Sequence, residues 1–193
     1  MSDRPEPTIQ QLFDLSGRVA LITGASGHLG SALARALAEA GARVVAASRS
    51  IEKARATAAA LGGEQQGHHL AVALDQMDEA SVERGFAAAL QQAGRIDVLV
   101  NNGHEALAAD WRSVTAGQFT RQLANVTGYF LLSRLMHDEA VTRGAAASII
   151  TPRLVCTRPR AGRPEVRFAN QGKFLGNDSC LARSRSRGFW PAR

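Results

Sequence analysis

Tyrosine occurs once in this 193-residue chain and cysteine twice. Cys156 and Cys180 are too few for a disulfide scaffold, and neither stands in a Cys-x-x-Cys pair or a Cys/His cluster that would suggest zinc. No metal site is expected. Lysine is scarce as well, being present only as Lys53 and Lys173. Long apolar runs are missing: none approaches the roughly 18 residues that span a bilayer, so no membrane span is expected. The first ten residues, MSDRPEPTIQ, bring acids and two prolines where a secretory signal needs basic and then apolar residues, so a cytoplasmic location is expected. What remains is ordinary globular composition, 45% hydrophobic and 21% charged, which suffices for one domain with or without a tail.

The net charge of +6 is unevenly placed. Residues 151–193 carry nine arginines and Lys173 against Glu165 and Asp178, a balance of +8, whereas residues 1–150 stand at −2. The chain reads as a mildly acidic domain with a basic tail, not as a fold with a basic face. The run Arg183-Ser-Arg-Ser-Arg187 leaves nucleic-acid contact through that tail as the least favoured alternative.

Between residues 18 and 150 short apolar runs alternate with segments of helical period. Strands are expected at 18–23, 43–48, 69–74, 96–101 and from 147 to 151. Helices are expected at 29–40, 51–61, 78–92 and 115–142, several of them closed by glycine, as at Gly41, Gly62 and Gly94. Such alternation, joined by right-handed crossovers, implies an α/β fold. The expected form is a doubly wound parallel, Rossmann-like sheet in the order 3-2-1-4-5. The pattern stops at Thr151. Residues 152–193 hold four of the six prolines, clustered Arg and Ser, and no sustained period, so they cannot readily bury a core. The expected division is a dinucleotide-binding domain over 1–151 and a disordered basic tail over 152–193, the sheet being incomplete at its carboxyl end.

Thr23-Gly-Ala-Ser-Gly-His-Leu-Gly30 falls where the first strand gives way to the first helix of this βαβ pattern. Gly24 suits the tight turn, Gly27 a close backbone approach and Gly30 helix-on-sheet packing, while free first-turn N–H groups attract a pyrophosphate. Gly24, Ser26, Gly27, His28, Leu29 and Gly30 are therefore the expected phosphate cradle.

With Phe13-Asp-Leu-Ser-Gly-Arg-Val-Ala-Leu-Ile-Thr-Gly24 leading into that turn, the stretch from about 13 to 150 resembles the short-chain dehydrogenases/reductases. The glycine spacing departs from the family's TGxxxGxG and matches the TGxxGxxG of its extended and atypical branches. Three other stretches agree. Leu74-Asp75-Gln76 resembles the segment that the family places against adenine. Asn101-Asn102-Gly103-His104 resembles the NNAG motif, which implies contacts from Asn101, Asn102 and Gly103 to the second ribose. Asn125-Val-Thr-Gly128 resembles the N-V-x-G stretch, whose Asn belongs to the family's catalytic set. The family's acidic position at the end of the second strand is Ser48, followed by Arg49. An arginine there suits the 2′-phosphate of NADP(H), with NAD as the other possibility.

The resemblance implies hydride transfer between NADP(H) and an alcohol or ketone, with a Tyr as acid and a Lys four residues on. The sole tyrosine is Tyr129, and position 133 is Ser133, so no Tyr-x-x-x-Lys pair exists in this chain. Nor does Ile149-Ile150 lead into a serine-bearing segment. The expectation is a truncated or frame-shifted member of the family that keeps the cofactor half and is inactive as written. A non-catalytic nucleotide-binding partner of an intact relative, pairing through the 115–142 helix, is the alternative. Only Asn125 survives of the family's catalytic residues.

Overall fold

The computed structural model describes residues 6, 8–63, 65–105 and 112–152. The basic segment from position 153 onward lies outside them. Five strands alternate with helices: β1 (Val19–Thr23), β2 (Arg43–Ser48), β3 (Leu70–Ala73), β4 (Val98–Val100) and β5 (Ser148–Ile150). All neighbours pair in parallel, in the order β3-β2-β1-β4-β5. The expected topology holds.

The period-2 alternation of the strands divides the core in two. Leu21, Val45 and Leu99 face α4 (Glu79–Ala93) and α5 (Ala116–Arg143), where Val82, Phe86, Leu132 and Met136 meet them. Ala20, Ile22, Val44, Ala46 and Val100 face the other way, toward α2 (His28–Glu39) and α3 (Ile51–Ala59). Helix α2 meets the sheet through Gly30, Ala34 and Ala38, a stripe of small residues four apart that lets its axis come close. Each fully buried Val, Leu or Ile contributes about 1.5–3 kcal/mol, so the two layers carry most of the fold's stability.

Expected element bounds lie within two residues of those observed, and at the starts of α4 and α5 the difference is the N-cap. Asp78 is the N-cap of α4, its carboxylate accepting from Ala80 and Ser81, and Thr115 with Gln118 forms a capping box on α5. One element escaped the periodicity reading, α1 (Ile9–Phe13). It is a single turn capped by Thr8 and Gln11 with no buried residue, so no apolar stripe announced it.

At the amino ends of the strands Asp97 serves as a staple. Its Oδ2 accepts from the Val19 N–H at 2.9 Å, and Arg18, Arg95 and Arg143 surround its Oδ1. This ion pairing lies at the end of the sheet opposite the carboxyl ends of the strands.

Candidate functional site

The order of the sheet reverses between β1 and β4, and in such folds the crevice at the carboxyl ends of these two strands is where ligands bind. Thr23 ends β1, and Gly24 follows with φ +63°, a left-handed conformation that favours glycine. Three bonds tie this turn to the loop after β4. Thr23 Oγ1 accepts from the Gly103 N–H at 2.8 Å, and Asn102 Nδ2 donates to the carbonyls of Thr23 and Gly24 at 3.1 and 3.3 Å. The backbones touch so closely that a Cβ on Gly24 would stand 2.6 Å from the Gly103 Cα.

Helix α2 opens from this turn with Gly27 as its N-cap, which supplies no side-chain acceptor, and without an acid in its first turn. A 12-residue helix thus presents first-turn N–H groups, and its positive end, to an acceptor from outside the helix. Gly30 holds the turn beneath it: a Cβ there would lie 2.1 Å from the Gly24 carbonyl oxygen. The donor set fits an anion of pyrophosphate kind. Ser26 and Ser48 share a hydroxyl hydrogen bond of 2.8 Å, joining the turn to the end of β2. His28 and Leu29 are exposed on the first turn of α2.

The other expected residues gather on the same rim, though several turn inward. Asp75 folds its loop, Oδ1 accepting from the Met77 N–H at 3.0 Å. Gln76 is buried, and its Nε2 donates to Asn125 Oδ1 at 3.4 Å. Asn101 is buried as well; its Nδ2 donates to Ser133 Oγ at 3.3 Å, and its Oδ1 has no hydrogen-bond partner. Asn125, wholly buried on α5, clasps the loop after β4 through the backbone of Glu105.

Tyr129 sends its hydroxyl to the Gly103 carbonyl at 2.7 Å. Burial pushes its pKa up to about 12, the opposite of what a proton donor near neutral pH needs. Ser133, in the place where a cation would lower that pKa, instead donates to the Tyr129 carbonyl at 2.7 Å. Among the described residues no group of three or more His, Cys, Asp or Glu converges, and no helix is long and apolar enough to cross a membrane.

The family model for short chain dehydrogenases matches residues 18–154. The chain belongs to that family. It is 36% identical over 150 residues to D-threitol dehydrogenase of Mycolicibacterium smegmatis, covering 77% of this chain and 57% of the relative. Sorbitol dehydrogenase of Cereibacter sphaeroides is 37% identical over 137 residues, covering 70% and 52%. Among solved structures, a short-chain type dehydrogenase/reductase from Mycobacterium marinum superposes with a TM-score of 0.67 at 32% identity, covering 75% of this chain and 59% of that one. The 3-ketoacyl-(acyl-carrier-protein) reductase of Brucella melitensis, solved with NADH, gives 0.60 at 34% identity, covering 72% and 57%. The chain therefore spans little more than half the length of these short-chain dehydrogenase relatives.

Two site residues of this short-chain dehydrogenase chain were not foreseen. Glu105 and Arg121 form a bidentate ion pair, Nε to Oε1 at 2.6 Å and Nη2 to Oε2 at 3.0 Å. These hydrogen bonds hold the Glu105 carboxyl below its ordinary range. Nothing in their spacing along the chain signals the pairing.

Proposed function

We propose that this chain binds a nicotinamide dinucleotide, with NADP(H) preferred, as the nucleotide half of a short-chain oxidoreductase. One observation carries the reading: the glycine turn, locked to Asn102 and Gly103, delivers a helix end without a side-chain cap to the switch point of the sheet. Gly24, Ser26, Gly27, His28, Leu29 and Gly30 would hold the pyrophosphate, Ser48 and Arg49 the adenosine ribose, and Asp75 with the Gln76 backbone the adenine. The Asn101 and Asn102 side-chain nitrogens and the backbone N–H groups of 101–103 are spent internally, so contact with the second ribose falls to the backbone carbonyls of 101–103. Bound there, the dinucleotide would donate or accept a hydride.

Asn125 is a positioning residue in this reading. Tyr129 is held neutral by burial and no Lys stands four residues after it, so the chain by itself turns over no carbonyl. Two relatives are named for threitol and sorbitol, which makes polyols and their ketoses the first substrates to try. Calorimetric titration with NADPH and NADH, followed by an absorbance assay with these substrates, tests both halves. Tighter binding of NADH than NADPH would reject the nucleotide preference, and turnover would reject the inactivity.

A second reading, the non-catalytic partner, draws on the far side of α5. An apolar groove of about 430 Å³ runs between Met136, Ala140, Val141 and Ile149, and Ile149 and Ile150 of β5 are exposed. Association there would bury both. In this reading 1–151 is the nucleotide domain, in the cytoplasm, and 152–193 lies outside it. Light scattering of the chain, alone and mixed with a full-length short-chain dehydrogenase relative, tests the association; a monomer in both would reject it.

A further inference from the structure

Arg49 follows the last residue of β2, yet its guanidinium already has a carboxylate beside it. Nη1 lies 3.9 Å from Oε2 of Glu105, which Arg121 holds from α5. The end of β2, the loop after β4 and α5 thus meet at one acidic side chain. The arrangement is asymmetric. Glu105 is fixed at its backbone by Asn125, through a 2.8 Å bond to its N–H and a 3.2 Å bond from Asn125 Nδ2 to its carbonyl, and its side chain is only 27% exposed. The Arg49 side chain is 66% exposed and makes a charge contact longer than a hydrogen bond. Of the two, Arg49 is the one free to turn toward a ligand.

We propose that Glu105 sets which nicotinamide dinucleotide this site prefers, by competing with a ribose 2′-phosphate for Arg49. The inference rests on the dinucleotide reading above and adds to it a residue on a different loop from the usual discriminating pair. A 2′-hydroxyl is neutral and leaves the Arg49–Glu105 contact in place. A 2′-phosphate carries close to two negative charges and must share Arg49 with a carboxylate that cannot withdraw. Arg121 keeps Glu105 paired whichever way Arg49 turns, so the carboxylate stays ionised and in place. Arg49 alone would make a strong 2′-phosphate site; Arg49 beside Glu105 makes one whose preference for NADP(H) is blunted.

The test is calorimetric binding of NADPH and NADH to the full chain and to its E105Q, R49Q and R49Q/E105Q variants. Glutamine keeps an oxygen for Arg121 and loses the charge. E105Q is expected to bind NADPH about three- to fivefold more tightly than the parent chain, the size of one exposed ion pair, with NADH changed by less than about twofold. The gain should vanish in the R49Q background and shrink in high salt. A gain equal for both dinucleotides, one that persists without Arg49, or none at all overturns the selector role and leaves the dinucleotide reading standing. Failure of the parent chain to bind either dinucleotide overturns that reading and the selector with it.

Discussion

Asn125 grips the backbone of Glu105 at both ends: its Oδ1 accepts the Glu105 N–H at 2.8 Å, and its Nδ2 donates to the Glu105 carbonyl at 3.2 Å. A fully buried side chain on α5 thereby does for the loop after β4 what a neighbouring strand would do. Asn125→Ala strands both groups and is expected to cost about 2–3 kcal/mol, since each unsatisfied buried polar group costs about 1–3 kcal/mol. Urea unfolding of the two chains measures it. A loss below about 0.5 kcal/mol would mean that water replaces the clamp.

Asp97 ties part of the acid stability to a carboxylate buried at the amino ends of the strands. Burial works to raise its pKa, but the Arg95 hydrogen bond, the Val19 N–H and the charges of Arg95 and Arg143 together outweigh it, and the net shift is downward. A depressed folded-state pKa gives stability that is present above the unfolded value of about 3.9 and is lost as pH falls through the folded one. Asp97→Asn should lower stability at pH 7 by about 2–3 kcal/mol and flatten the loss between pH 4 and the folded-state pKa. Unfolding curves at pH 7, 4 and 3 compare the two; parallel losses with pH would contradict the assignment.

Tyr129 is the only tyrosine, so absorbance at 295 nm reads its ionisation alone. It should titrate near 12, against about 10 for a free phenol. Because the folded pKa is raised, the associated stability is complete below pH 10 and is lost as pH rises toward 12. Tyr129→Phe should cost about 1 kcal/mol through the bond to Gly103 and abolish the signal. A titration midpoint near 10 in the folded chain would show the ring to be solvated.

Gly30 and Gly117 both lie in helices, but alanine should affect them oppositely. A Cβ at Gly30 would meet the Gly24 carbonyl at 2.1 Å, and backbone cannot give way there without opening the turn. One at Gly117 meets nothing within 4 Å. Gly117→Ala is expected to be neutral or stabilising by up to about 1 kcal/mol, and Gly30→Ala to destabilise by about 2 kcal/mol or more and abolish dinucleotide binding. Melting temperatures with and without NADPH separate the two effects, and equal behaviour would refute the close approach.

Strands, helices and their order were legible because period, capping and glycine punctuation are local, and each element announces itself within about ten residues. The glycine turn was legible for the same reason: Gly24, Gly27 and Gly30 sit within one strand-to-helix junction. Helix α1 was not, since one turn with no buried residue carries no period. The inward turn of Gln76, Asn101 and Asn102 was not legible either, because a polar side chain at a strand end reads the same whether it faces a ligand or a neighbouring loop.

The chain's own residues thus dictate the doubly wound sheet and the place of its phosphate turn, through hydrophobic burial and backbone conformation acting between near neighbours. The absence of a Tyr-x-x-x-Lys pair is also a matter of reading residues in order. Which side chains end up sharing a charge is another kind of question. Arg49, Glu105 and Arg121 come from three elements far apart in the chain, and Asp97 gathers arginines from β1's approach and from the end of α5. Electrostatic pairing depends on distance through space, falling off within about 10 Å at moderate salt, and such distances exist only once the sheet has stacked its strands.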